Sequence, residues 1–192
     1  MEILEQKPDT KRPMIVRVAT SLFAAKGIDG TSMRDIADGA GVREAAIYRH
    51  FASKDDLARE IFLSWYGWYC LELQRITSGP RRTLVKLREI VGHEFLAVTK
   101  HGEAFVYLCD NEARFVRSLP PELVNARQVF TTFIKAGQAL GEVRAGNAGL
   151  LADMLSGALC AVALTWHHMG RRKNLSTLLE EVVRGCWHMI SA

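Results

Sequence analysis

Within residues 31–54, TSMRDIADGAGVREAAIYRHFASK, five side chains carry the donors that a polyanion needs: Arg34, Arg43, Tyr48, His50 and Lys54. An Arg guanidinium can pair bidentately with guanine in the major groove, discriminating against other bases by roughly 1–3 kcal/mol. Tyr, His and Lys bond phosphate oxygens, which sets register without reading sequence. The chemistry on offer is non-covalent recognition of duplex DNA. Arg34 and Arg43 are the expected base readers. Ala45 and Ala46 are small enough for close approach, and Ala45 could meet a thymine methyl. Arg49 is either a further phosphate contact or a solvated side chain. Glu44 would repel phosphate; it either pairs within its helix or with Arg43, or accepts from a cytosine amino group. With Ser32 these residues form the candidate DNA-contacting set.

Two short helices must hold them. Ser32 and Asp35 have the spacing of a capping box, in which side chain and backbone satisfy each other. Met33, Ile36, Ala37 and Ala40 then recur at helical spacing. Gly41 can take the left-handed conformation that ends such a helix. Ala46, Ile47 and Phe51 face inward on the next helix. Two helices across a tight Gly turn make a helix-turn-helix. An upstream helix from about Thr10 to Lys26 braces the pair through Ile15, Val18, Ala19, Leu22 and Phe23; Pro13 fits its first turn and Gly27 ends it. Residues 1–9 read as a loose arm. Ser53 and Asp56 form a second capping box, opening a long helix through Leu57, Ile61, Phe62, Trp65, Trp68, Tyr69 and Leu73 until Gly79-Pro80 breaks it.

Ala19, Leu22-Phe23 and Gly27, Thr31-Ser32, Asp35-Ile36-Ala37, Ala40-Gly41-Val42, Ile47-Tyr48, His50-Phe51 and Lys54 with Leu57 together resemble the DNA-binding signature of the tetracycline-repressor (TetR) family of bacterial transcription regulators. Tyr48, His50 and Lys54 match the family positions that hold the DNA backbone, so the resemblance implies that role for them. The motif spans roughly residues 10 to 60. Two positions depart from it: Arg43 stands where a capping Ser or Thr is common, and Glu44 where a basic or polar residue is common. The resemblance implies an all-α protein. Its N-terminal three-helix helix-turn-helix domain would occupy residues 1–55, with a C-terminal helical ligand-binding and dimerisation domain over 56–192. It also implies a homodimer on palindromic operator DNA and a small-molecule effector that releases it.

Beyond residue 81 the helical period continues, with helices expected near 82–100, 103–117, 122–140, 147–169 and 175–190. Residues 104–109, AFVYLC, could form a strand, but no second run is available to pair with it. The aromatics Trp65, Trp68, Tyr69, Phe95, Phe105, Phe130, Phe133 and Trp166 can line an apolar effector pocket, although each alone is an ordinary core residue. His93, Glu94 and the Asp110-Asn111-Glu112 cluster either orient a ligand, bind a cation, or are ordinary solvated or hydrogen-bonded groups, the last being the expectation. Gly137 and Gly141 read as a fraying helix end. The last two helices either complete the chain's own core or pair with their copies in a second chain. Leu155, Leu159, Val162, Leu178, Leu179, Val182, Val183, Cys186, Trp187 and Ile190 are the expected dimer interface.

Bulk properties narrow the class. The chain has 192 residues, 48% hydrophobic, enough for a buried core. Its formal net charge of +4 is no argument for DNA, because residues 1–60 hold ten Lys+Arg against ten Asp+Glu. Placement of individual cations matters more. The four cysteines are far apart in sequence and form no Cys-x-x-Cys pair, and they read as reduced core residues in preference to a redox switch. The N-terminal MEILEQKPDTKR lacks a signal peptide's apolar core, and no uninterrupted apolar run suits a membrane span, so a cytoplasmic location is expected. There is no Gly-rich phosphate loop, no G-x-S-x-G and no metal-spaced His/Cys set; neither enzyme activity nor cofactor nor metal is expected. His167-His168 point to different faces. A rival reading keeps the fold but not the DNA: a helical small-molecule-binding protein whose DNA-binding activity is lost, a possibility raised by Glu44.

Overall fold

A computed structural model describes residues 11–170 and 174–192. The arm expected at residues 1–9, the helix start at Thr10 and residues 171–173 lie outside the described residues. The described chain is helical, apart from an isolated antiparallel bridge between Val143 and Ser191. It divides into two compact units, one ending at Ser64 and one running from Trp65 to Ala192.

The first unit contains α1 (Lys11–Lys26), α2 (Met33–Ala40), α3 (Glu44–Tyr48) and the opening turns of α4 (Lys54–Thr77). Ile15, Ala19 and Phe23 of α1 are buried with Ile36 and Ala37 of α2 and Ile47 of α3. Full burial of each large apolar side chain stabilises by about 1.5–3 kcal/mol. Leu57, Ala58, Ile61 and Phe62 of α4 complete this core, which is why the division falls inside α4 rather than at residue 55. Gly39 is more than punctuation. A Cβ there would stand 2.8 Å from Val18 Cγ1, so α1 and α2 pack at a distance that a side chain would prevent.

In the second unit α5 (Thr83–Lys100) packs against α6 (Gly102–Phe115), α8 (Ala148–His168) and α9 (Leu179–Ile190), while α7 (Ala126–Ala139) lies along α8. Leu87, Ile90, Val91 and Val98 give α5 a fully buried stripe. Residues 104–109 are helical, as their isolation implied. α7 starts at Ala126 rather than near 122, because Pro120-Pro121 interrupt the backbone and Asn125 provides the cap, accepting from Arg127 N–H at 2.8 Å. The segment Leu175–Leu178 is a 3-10 turn ahead of α9. Gly137 is a packing position after all: a Cβ would meet Val143 Cγ2 at 2.4 Å.

Two expectations about the last helices change. α8 is long and apolar enough by length and composition to cross a membrane, although Asp153 and Ser156 interrupt its apolar run. It is here a helix whose Leu151, Ala152, Leu155, Leu159 and Ala163 face the protein core. For the same reason Leu155, Leu159, Val183, Cys186 and Ile190 are not available to a second chain: they close this chain's own core. Val162, Leu178, Leu179, Val182 and Trp187 are half-buried. The apolar surface left outward on α8 carries Leu150 and Met154, 58% and 41% exposed.

Candidate DNA interface and ligand cavity

The turn that presents α3 is built from local hydrogen bonds. Asp35 N–H donates to Ser32 Oγ at 3.1 Å, while Ser32 N–H and hydroxyl both donate to Asp35 Oδ2, at 2.8 and 2.6 Å. These bonds hold the Asp35 carboxyl below its ordinary range. At the other end Gly41 sits at φ 63°, and Val42 N–H donates to Ala37 O at 3.0 Å. The chain therefore reverses within three residues and starts α3 at Glu44. Arg43 occupies the N-cap without a side-chain cap bond, so its guanidinium is not engaged in holding the helix.

The candidate contacts then sort by exposure. Arg43, Glu44, Ala45, Tyr48 and Arg49 are exposed, Tyr48 by 51%. Arg34 is exposed on α2 and only loosely paired, Nε to Asp38 Oδ2 being 3.9 Å. Such an exposed pair is worth little and leaves the guanidinium recruitable. Ala46 is removed from the set: it is buried beneath α3, on the same side as Ile47. Ser32 is occupied by its capping duties. His50 is half-buried, its ring edge-on to Phe51 with centroids 6.2 Å apart. Lys54 has a second task that its position in sequence concealed. Its Nζ donates to Thr31 O at 2.7 Å, tying the start of α4 to the residue before the α2 cap. Two of its three N–H donors remain. Arg12 braces the same corner from α1, over the Phe51 ring at 5.2 Å and ion-paired with Glu60.

In the second unit a cavity of about 350 Å³ is walled by α4, α5, α6, α7 and α8. Of the aromatics expected there, Tyr69, Phe105 and Phe130 line it. Phe95 is core, and Trp166 is half-buried away from this lining. Trp65 and Trp68 instead pack edge-on to each other and against His101, with Trp68 also on His93. Phe133 faces a separate open groove with Leu71 and Val129. The volume and largely apolar walls are those of a small-molecule site.

Its polar groups were mostly missed. Glu94 is buried, 2% exposed, and accepts a hydrogen bond from the Tyr69 hydroxyl. Desolvation pushes its carboxyl up to about 7, so near neutrality it is a proton donor about as often as an anion. Of the two ordinary states expected for Glu94, solvated or hydrogen-bonded, the structure shows the second, because α5 turns it to the core side, in register with Ile90 and Val98. Glu112 stands exposed at the rim, its carboxyl also raised by desolvation. Asn111 donates to Tyr107 O at 2.9 Å, an ordinary helix back-bond. Tyr66 turns its hydroxyl oxygen to the Ala126 N–H at 3.0 Å, fastening α4 to the start of α7. Arg127 and Asp153 close one side as a bidentate pair at 2.7 and 2.9 Å. Cys109 and Cys160, far apart in the chain, bring their Sγ atoms to 3.0 Å in the same wall. Among the described residues no cluster of three or more His, Cys, Asp or Glu could hold a metal.

Residues 15–61 match the family model described as bacterial regulatory proteins, tetR family. The transcriptional repressor KstR2 of Mycobacterium tuberculosis is 29% identical over 120 residues, which cover 62% of this chain and 60% of the relative. The regulator AcrR of Shigella flexneri is 41% identical over 90 residues, 46% of this chain and 42% of the relative. The chain thus spans about 60% or less of the length of these relatives. The solved structure of the ketosteroid transcriptional regulator KstR2 of Mycobacterium tuberculosis superposes with a TM-score of 0.80 at 21% identity, covering 97% of each chain. The capped helix-turn-helix with exposed Arg34, Arg43 and Tyr48 and the match over residues 15–61 identify the N-terminal unit as the DNA-binding domain of the tetR family of bacterial regulatory proteins.

Proposed function

We propose that the protein is a non-enzymatic, cytoplasmic, homodimeric transcriptional repressor that leaves its operator when a small hydrophobic effector fills the cavity. The observation that carries this reading is the exposed row of Arg34, Arg43 and Tyr48 around a five-residue helix whose inner side is fully packed. A structural hairpin has no use for such a row. The N-terminal residues of a recognition helix reach base edges, while backbone contacts flank it. A dimer would place two such helices roughly 34–36 Å apart on a palindrome, and the exposed apolar surface of α8 suits the pairing.

The cavity's chemistry favours an apolar molecule carrying one hydrogen-bonding oxygen. Phe105, Leu108 and Phe130 would cover its body, and protonated Glu94 or Tyr69 would meet the oxygen. One similar solved structure is described as a ketosteroid transcriptional regulator, and ketosteroids are molecules of that kind. Release needs the effector to bind one conformation better than the operator-bound one. α4 is the natural lever, since it carries the cavity's Tyr66 and Tyr69 and begins at Lys54.

The competing reading, a ligand-binding helical protein without DNA activity, rests on Glu44, which is exposed at the first turn of α3. Fluorescence anisotropy with the DNA upstream of the protein's own gene separates the two. Binding whose logarithm falls steeply and linearly with log salt is expected for the regulator. Absence of salt-sensitive binding to any upstream fragment would leave the ligand-binding protein.

A further inference from the structure

The thiols of Cys109 on α6 and Cys160 on α8 are both free and 3.0 Å apart, and both line the cavity. The remaining cysteines, Cys70 and Cys186, are buried. A disulfide needs S–S of about 2.05 Å, so closure asks the two sulfurs to approach by about one ångström. We propose that Cys109 and Cys160 form a redox modification site, closed to a disulfide by an apolar organic hydroperoxide that enters the cavity.

The asymmetry of the pair sets the order of events. The hydrogen bond between the sulfurs holds the Cys160 thiol below its ordinary range and pushes Cys109 up. Cys160 is the sulfur that gives up its proton more readily, so it is the attacking sulfur, reacting as a thiolate once that proton has passed to solvent. It attacks the outer peroxide oxygen. An S–O bond forms, the O–O bond breaks, and the alkoxide leaves as an alcohol after taking a proton from the Glu94 carboxyl, which regains one from solvent. Cys109 sulfur then attacks the sulfenic sulfur of Cys160. The S–S bond forms, the S–O bond breaks, and hydroxide departs as water with the Cys109 proton. The dithiol loses two electrons and the hydroperoxide gains them. Phe105, Leu108 and Phe130 select for an apolar peroxide, and the bridge joins α6 to α8 across the cavity wall. This site does not depend on the cavity also taking an effector.

The test uses the full-length reduced protein with cumene hydroperoxide, and hydrogen peroxide as the polar comparator, read by intact mass and peptide mapping. The expected result is loss of two hydrogens, a peptide linking Cys109 to Cys160, reversal by dithiothreitol, and a several-fold faster reaction with cumene hydroperoxide. A Cys70→Ser/Cys186→Ser double variant should behave alike, and Cys160→Ser should form no bridge and leave Cys109 a thiol. The proposal is overturned if wild type accumulates sulfinic acid at Cys160 with no linked peptide, or if both thiols survive while Cys70 or Cys186 oxidises. Equal rates with the two peroxides would overturn entry through the cavity. None of these readouts involves DNA, so they stand or fall separately from operator binding.

Discussion

Glu94 offers the sharpest quantitative check on the cavity. Replacing it by Gln keeps the shape and an oxygen that accepts from the Tyr69 hydroxyl, but removes the titration. The native carboxyl is raised from 4.5 to about 7, and at 1.36 kcal/mol per pH unit this corresponds to about 3 kcal/mol. The sign follows from proton counting. Between these two values the folded state holds the proton more tightly than the unfolded chain, so wild-type stability falls as pH rises and levels off above the folded pKa. Buried His93, whose imidazolium is disfavoured by desolvation, slopes stability the other way below its ordinary pKa. His93 is present in both proteins and cancels in their difference. Urea unfolding of wild type and Glu94→Gln between about pH 5 and about pH 8 should therefore show the variant gaining about 2.5 kcal/mol relative to wild type across the range. Parallel stability curves would mean that Glu94 is solvated or ionised throughout, and the argument for a neutral hydrogen-bond donor in the cavity would collapse.

At the DNA end, Arg34→Ala should relax base preference at one position per half-site without altering thermal stability, measured by binding to operator variants and by melting. Lys54→Ala should weaken binding to all sequences alike. Because it also strips the donor from the Thr31 carbonyl, it should lower stability by about 1–3 kcal/mol in denaturant titrations. A Lys54→Ala protein of unchanged stability would refute the tie between α4 and Thr31. Gly41→Ala places a Cβ at φ 63°, which should cost about 1–2 kcal/mol and weaken DNA binding through the turn. Met154→Arg on the exposed side of α8 should yield monomers in sedimentation and slacken operator binding with the fold intact by circular dichroism; an unchanged dimer would move the interface elsewhere.

The N-terminal unit was largely legible, and the reason is the range of its interactions. Ser32 with Asp35 and Ser53 with Asp56 are bonds between residues three apart, so spacing alone reveals them. Gly41 is likewise a local matter of backbone freedom. What escaped there was long-range: the bond of Lys54 to Thr31 crosses 23 residues, and no pattern of types announces it. The cavity belongs wholly to that second kind. Phe95, Phe133, Trp65 and Trp68 have the composition of a ligand wall, yet each is spent on core, groove or stacking. Whether an aromatic lines a void depends on where neighbouring helices fail to meet. Here Ser156 and Gly157 leave α8 thin beside Cys160, and the vacancy opens against Tyr69, Phe105 and Phe130. A signal did exist for Glu94, a carboxyl placed in a helical stripe with Leu87, Ile90, Val91 and Val98. An ionisable group in a core register must be neutralised, bonded or used. At Glu94 the Tyr69 hydroxyl supplies the bond and burial supplies the neutrality, and the proton that results is the one feature of this cavity that a purely apolar pocket could not provide.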